Sequence, residues 1–137
     1  MHTLLVYGPT DRADAALRSV AERARADGDD LTVVSVIREE PTGRPRCCDV
    51  RSALWNEICR ELAGRDLTRA WMTLDGDDSV CLDTIAAPGW HPADTVTAEA
   101  LSRGADEIVL ADPGASGLGR LERRRLKRRS PLPVSAG

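Results

Sequence analysis

Gly114, Gly117 and Gly119 lie between a short apolar segment, Ile108 to Ala111, and a basic stretch, Arg120 to Arg129. These residue types in this order suit anion chemistry. A strand that passes through glycines into a helix N-terminus lets backbone N–H groups approach a phosphate, and the helix dipole favours negative charge. Gly8 and Thr10 follow the first apolar segment and belong to the same kind of turn. Gly8, Thr10, Gly114, Gly117 and Gly119 are therefore the candidate nucleotide or anion loop. The glycines serve equally well as a plain strand-to-helix turn. A second candidate is the basic patch Arg120, Arg123, Arg124, Arg125, Lys127, Arg128 and Arg129. It reads as a contact for nucleic acid, an anionic ligand or an acidic partner surface, or as a solvated helix face.

The remaining reactive side chains point less clearly to chemistry. Cys47, Cys48, Cys59 and Cys81 match no zinc spacing, and the chain has only two histidines. Adjacent Cys47 and Cys48 are poorly placed to bridge each other and read as loop thiols or a redox pair. Cys59 and Cys81 read as small core residues. His91 sits in a turn with no evident partner. No nucleophile stands beside a base, so no catalytic residue, metal site or enzymatic activity is expected.

Charge is unevenly spread. The net charge is −3 overall, but residues 1–119 carry −9 and residues 120–137 carry +6. An acidic body with a basic terminal helix is the dominant pattern. No apolar run reaches the roughly 18–20 residues that span a bilayer, and the N-terminus lacks the pattern of a signal peptide. A cytoplasmic protein with no membrane partner is the expectation.

The elements that must position these residues alternate. Thr3 to Tyr7 reads as a buried strand closed by Gly8-Pro9. A helix capped by Thr10 or Asp11 follows, with Ala15, Ala16, Val20, Ala21 and Ala24 inward and a stop at Gly28. Leu31 to Ile37 is a β-branched strand. Residues 38–48 read as a loop, and Asp49 as the cap of a helix over 50–74, continuous or broken near Gly64. Its stripe Val50, Leu54, Ile58, Leu62, with Trp55 and Trp71, is expected against the sheet or a partner subunit. Val80 to Ala86 is a strand interrupted by Asp83. The turn Pro88 to Pro92 leads to a helix carrying Val96, Ala98, Ala100 and Leu101, ending at Gly104. A short fifth strand is expected near Pro133-Val134. The order predicts one α/β domain over residues 1–137, an open parallel sheet of four to five strands with helices on both faces. Ligands of such sheets bind beyond the carboxyl ends of the strands.

Across most of its length the chain resembles the universal stress protein family. The resemblance rests on the opening strand and turn before Ala15-Ala16-Leu17, on Leu31 to Val36, and on Pro92-Ala-Asp. It rests also on Gly104 to Leu110, on Gly114-x2-Gly117-Leu118 and on Ser130-Pro-Leu-Pro-Val134. It implies a Rossmann-like sheet of the adenine nucleotide alpha-hydrolase-like kind, a role in stress response, and a homodimer or an unidentified protein partner. Family members that bind ATP carry an acidic residue just after the first strand. They also carry Gly-x2-Gly, nine residues, then Gly-Ser or Gly-Thr. Here Gly114 and Gly117 match, the acidic position falls at Gly8, and Lys127-Arg128 stand where Gly-Ser would be. The segment is also about four residues shorter than the family pattern. The resemblance therefore implies a regulatory or interaction domain with no cofactor, not binding ATP in the usual family mode. The alternatives are ATP or AMP held by a modified loop, and an anion or nucleic acid held by the basic helix. The family commonly dimerises through its last strand, which is short here, so the 50–74 helix is the expected substitute.

Overall fold

The structure, a computed structural model, describes residues 1–39, 48–88 and 91–137. Its strands are β1 (His2–Val6), β2 (Asp30–Glu39), β3 (Cys81–Pro88), β4 (Glu107–Leu110) and β5 (Val134–Ala136). Its helices are α1 (Asp11–Asp27), α2 (Cys48–Thr73), α3 (Pro92–Ser102) and α4 (Arg120–Arg129), with a single 3-10 turn at Pro113–Ala115. The sheet is five-stranded and all parallel, in the order β3-β2-β1-β4-β5. Strand order reverses between β1 and β4, so the crevice opens above their carboxyl ends.

Each central strand divides its side chains between two cores, as a period of two requires. Leu5, Tyr7, Val33 and Val109 pack under α1 and the end of α2, with Leu17, Val20 and Leu74. Leu4, Val6, Val34, Ile108 and Leu110 pack under α3 and α4, with Val96, Ala100 and Leu126. Thr10 caps α1, its hydroxyl accepting from the Ala13 N–H at 3.1 Å, and Gly28 closes it at φ 71°. Within α1, Leu17 and Asp14 turn inward while the expected Ala15 faces solvent.

Several sequence expectations need correction. β2 runs on to Glu39 and α2 starts at Cys48, so Asp49 lies inside its first turn instead of before it. The rest of the expected 38–48 loop, with Cys47, lies outside the described residues, as do Gly89 and Trp90 of the Pro88–Pro92 turn. α2 is continuous through Gly64, because one glycine costs only about 1 kcal/mol in a helix interior. Of the two surfaces expected for its stripe, the sheet is not the one met: Leu54, Trp55, Ile58 and Leu62 are each about half exposed, at 55, 52, 50 and 49%. The smaller Asn56, Ala63 and Ala70 are buried instead, which lets the helix approach closely. Trp71 is half exposed beside Gly76 and Leu82. Asp83 does not interrupt β3, since that strand forms an edge of the sheet and Arg103 pairs with the outward carboxylate at 2.7 Å. Cys81 is exposed on the same edge and Cys59 is half-buried, so neither is a core residue. On α3, Val96 and Ala100 are buried, while Ala98 and Leu101 are exposed.

Candidate functional site

The site is built by the turn after β1 and the segment after β4. β1 ends at Val6, and the next residue, Tyr7, donates its N–H to the Val34 carbonyl at 2.9 Å. The chain then turns through Gly8 and Pro9 into α1. The Thr10 hydroxyl donates to Asp112 Oδ2 at 2.8 Å, which ties this turn to the end of β4. The other oxygen of Asp112 accepts from the Gly114 N–H at 3.2 Å and starts the 3-10 turn.

That turn folds back over β1. A Cβ on Gly8 would stand 2.0 Å from the Ala115 carbonyl oxygen and 2.8 Å from the Ala115 Cβ. The side-chain space at position 8 is thus occupied by backbone. Ser116 is 1% exposed and satisfied locally, its hydroxyl donating to the Pro113 carbonyl at 2.9 Å and accepting from the Leu118 N–H at 3.3 Å. Gly117 sits at φ 76°, and a Cβ there would lie 3.2 Å from the Val36 carbonyl oxygen within β2. The loop therefore runs from β4 past β1 to β2 before α4 begins. Of the candidate loop residues, Gly8 meets Ala115 and Thr10 meets Asp112, whereas Gly117 faces Val36 of β2. Gly114 is exposed on the outside of the turn, and Gly119, with nothing within 4 Å of a Cβ, is the N-cap of α4.

The basic patch divides by the face each residue occupies. Arg125 pairs with Asp94 of α3 at 3.1 Å and holds its carboxyl below the usual range. Glu122, the lone acid of α4, accepts from the Ala93 N–H at 3.1 Å and faces His91 Nδ1 at 3.3 Å. His91 thus has a partner that its sequence position did not reveal. Leu126 is 1% exposed and anchors the helix, whereas Leu121 is 75% exposed. Arg120, Arg123, Arg124 and Lys127 instead line a cavity of 190 Å³ with Leu110 and Pro113. Arg128 and Arg129 are exposed at the end of the helix.

Sequence reasoning missed a buried polar cluster below the β1 turn. The Tyr7 hydroxyl donates to Asp14 Oδ1 at 2.5 Å, and Arg69 of α2 donates to Asp14 Oδ2 at 2.7 Å. Arg69 also donates to the Pro9 carbonyl at 3.2 Å, and the Thr73 hydroxyl reaches Asp14 at 3.3 Å. Burial, reinforced by the Asp14 hydrogen bond, pushes the Tyr7 hydroxyl above its ordinary range. Burial pushes the Asp14 carboxyl upward, but the hydrogen bonds from Arg69, Tyr7 and Thr73 outweigh it and hold the group below its ordinary range. The available signal was an acid, Asp14, at an inward position of α1. The cluster braces the turn that carries Gly8 and Thr10.

Solved structures share this arrangement of strands and helices. A universal stress protein family member from Burkholderia pseudomallei superposes with a TM-score of 0.71 at 20% identity, covering 98% of this chain and 94% of that one. The fold is that of the universal stress proteins. One from Archaeoglobus fulgidus in complex with dAMP gives a TM-score of 0.61 at 23% identity, over 98% of this chain and 94% of that one. A universal stress protein in complex with cAMP gives 0.61 at 20% identity, over 99 and 96%. No protein-family model matches the chain, and no curated protein matches it. Set within the universal stress protein fold, Gly8 occupies the place after β1 where the resemblance puts an acidic side chain, and Ala115 occupies the space of that side chain.

Proposed function

We propose that this chain is a non-catalytic regulatory or interaction domain of universal stress protein type that does not hold ATP or AMP in the manner of the nucleotide-binding members. One observation carries the reading: the Ala115 carbonyl lies where a side chain on residue 8 would project. An acidic group at that place is excluded by backbone, not merely missing. The loop that would cradle phosphates bonds instead to itself and to Thr10 through Asp112 and Ser116. The bound dAMP and cAMP of the neighbours belong to those proteins and define the competing reading. Calorimetric titration with magnesium ATP, and separately with AMP, tests it. Millimolar affinity or none is expected, and a micromolar Kd that Gly117→Val weakens would overturn the reading.

The partner in this proposal is a second copy docked on α2. Leu54, Ile58 and Leu62 lie on one half-exposed stripe with Trp55 beside them. Arg51, Glu57, Arg60, Glu61 and Arg65 flank it with both signs of charge, as the rim of an association surface does. A two-fold axis sets such a stripe against itself. β5 has only three residues, two of them exposed, and offers little strand to pair. Among the described residues no helix is long and apolar enough to cross a membrane, and a cytoplasmic site of action is part of the proposal.

A further inference from the structure

We infer that the face of α4 formed by Arg120, Arg123, Arg124 and Lys127 binds a small oligophosphate group, in a cavity that none of the candidate loop residues Gly8, Thr10, Gly114, Gly117 and Gly119 lines. The spacing of these residues, at positions 0, 3, 4 and 7, sets all four on one side of the helix. They line one cavity of 190 Å³ together with Leu110, at the end of β4, and Pro113. Apolar lining of this kind lowers the local dielectric and strengthens the attraction of a bound anion to the guanidinium groups. Three arginines offer paired N–H donors that match phosphate oxygens.

The absence of counter-charges is the second observation. The chain carries more acids than bases, 22 against 19. Arg23, Arg25, Arg69, Arg103 and Arg125 each pair with a carboxylate. Among the described residues none of the four cavity cations does so; Arg12, Arg18, Arg51 and Arg65 also lack such a pair, but the four share one cavity. The acid of their own helix, Glu122, is turned away and bonded to α3. Four like charges on two turns repel each other, and an anion in the cavity removes that repulsion. The helix is also held in place. Leu126 is buried behind it, and Glu122 and Arg125 fasten it to α3. The cationic face is thus a fixed surface and not a loose arm.

Size and surroundings select the ligand class. The cavity is smaller than the roughly 300–1,000 Å³ pockets that enclose a whole drug-sized ligand. It suits two or three linked phosphate groups. A nucleic acid backbone is disfavoured because residues 1–119 carry a net −9, so a polyanion extending beyond α4 meets like charge.

Inorganic tripolyphosphate is the probe, titrated into the full chain by calorimetry, with orthophosphate and a 20-base-pair duplex as comparators. The parent is expected to bind tripolyphosphate saturably and about tenfold or more tighter than orthophosphate. The double variant R123E/K127E removes this binding. R128E/R129E changes the net charge equally at the end of the same helix, at residues that do not line the cavity, and is expected to stay within about threefold of the parent. R123Q/K127Q, which keeps good helix formers, should lose about fivefold or more, so a folding defect in the charge reversal does not decide the matter. Three results would overturn the inference: no saturable binding of tripolyphosphate, equal loss in the R123E/K127E and R128E/R129E variants, or tighter binding of the duplex than of tripolyphosphate.

Discussion

Replacing Gly8 with alanine places a methyl carbon 2.0 Å from the Ala115 carbonyl oxygen and 2.7 Å from its carbonyl carbon. Ordinary contact begins near 3.4 Å, so the turn or the end of β1 must move by more than an ångström. Backbone faces backbone here, and no rotamer change relieves the clash. Gly8 is not among the positive-φ glycines, so the demand is for space and not for a left-handed conformation. Overpacking costs about 1–3 kcal/mol, and the upper half of that range applies where both partners are main chain. The loss of unfolded-state freedom returns roughly 0.4–1 kcal/mol. A net destabilisation of about 2 kcal/mol follows, or a fall in Tm of roughly 6–10 °C for a chain of this size. Gly64→Ala is the internal control. It lies within α2 with nothing within 4 Å of the added methyl, and should stabilise by roughly 0.5–1 kcal/mol. The same substitution thus has opposite signs at two sites. Urea unfolding followed by circular dichroism measures both. Gly8→Ala within about 0.5 kcal/mol of the parent would mean that the 3-10 turn does not rest on β1. Space for an acidic side chain at position 8 would then be open.

Other expectations are open to equally direct measurement. Asp14→Ala removes the acceptor of the Tyr7 hydroxyl, a residue only 2% exposed, and should cost about 2–3 kcal/mol in chemical denaturation, against about 1 kcal/mol for Tyr7→Phe. Because the folded Asp14 carboxyl titrates below its unfolded value of roughly 3.9, its contribution is present at neutral pH and is lost as pH falls below about 4 through the folded pKa. An acid unfolding curve that Asp14→Asn leaves unchanged in that window would contradict this assignment. Leu126→Ala empties the one buried anchor of α4 and should cost about 2–5 kcal/mol by urea unfolding, whereas Leu121→Ala, at 75% exposure, should stay within about 0.5 kcal/mol. In sedimentation at tens of micromolar the parent is expected as a dimer and Ile58→Glu as a monomer; a monomeric parent would remove α2 as the interface.

The alternation of elements was legible in the residues themselves. Gly28, Thr10 and Pro92 mark helix ends through contacts within a few residues, and Leu31 to Ile37 is too β-branched to prefer a helix. The lack of an acid at position 8 and of a Gly-Ser pair near Lys127-Arg128 was equally plain. Which side of α2 meets the sheet was not. An apolar stripe of Leu54, Ile58 and Leu62 gives the same periodic signal whether it faces a core or a partner. The outcome turned on the smaller Ala63 and Ala70 allowing close approach to the sheet. Only the fold set Ala115 on Gly8, more than a hundred residues away, because that meeting depends on β4 lying beside β1. Only the fold divided seven cations into a pair with Asp94, two exposed ends and a group of four around one cavity. Local periodicity specifies elements, but the partners of a side chain across the sheet depend on strand order and helix rotation, which no short stretch of chain encodes.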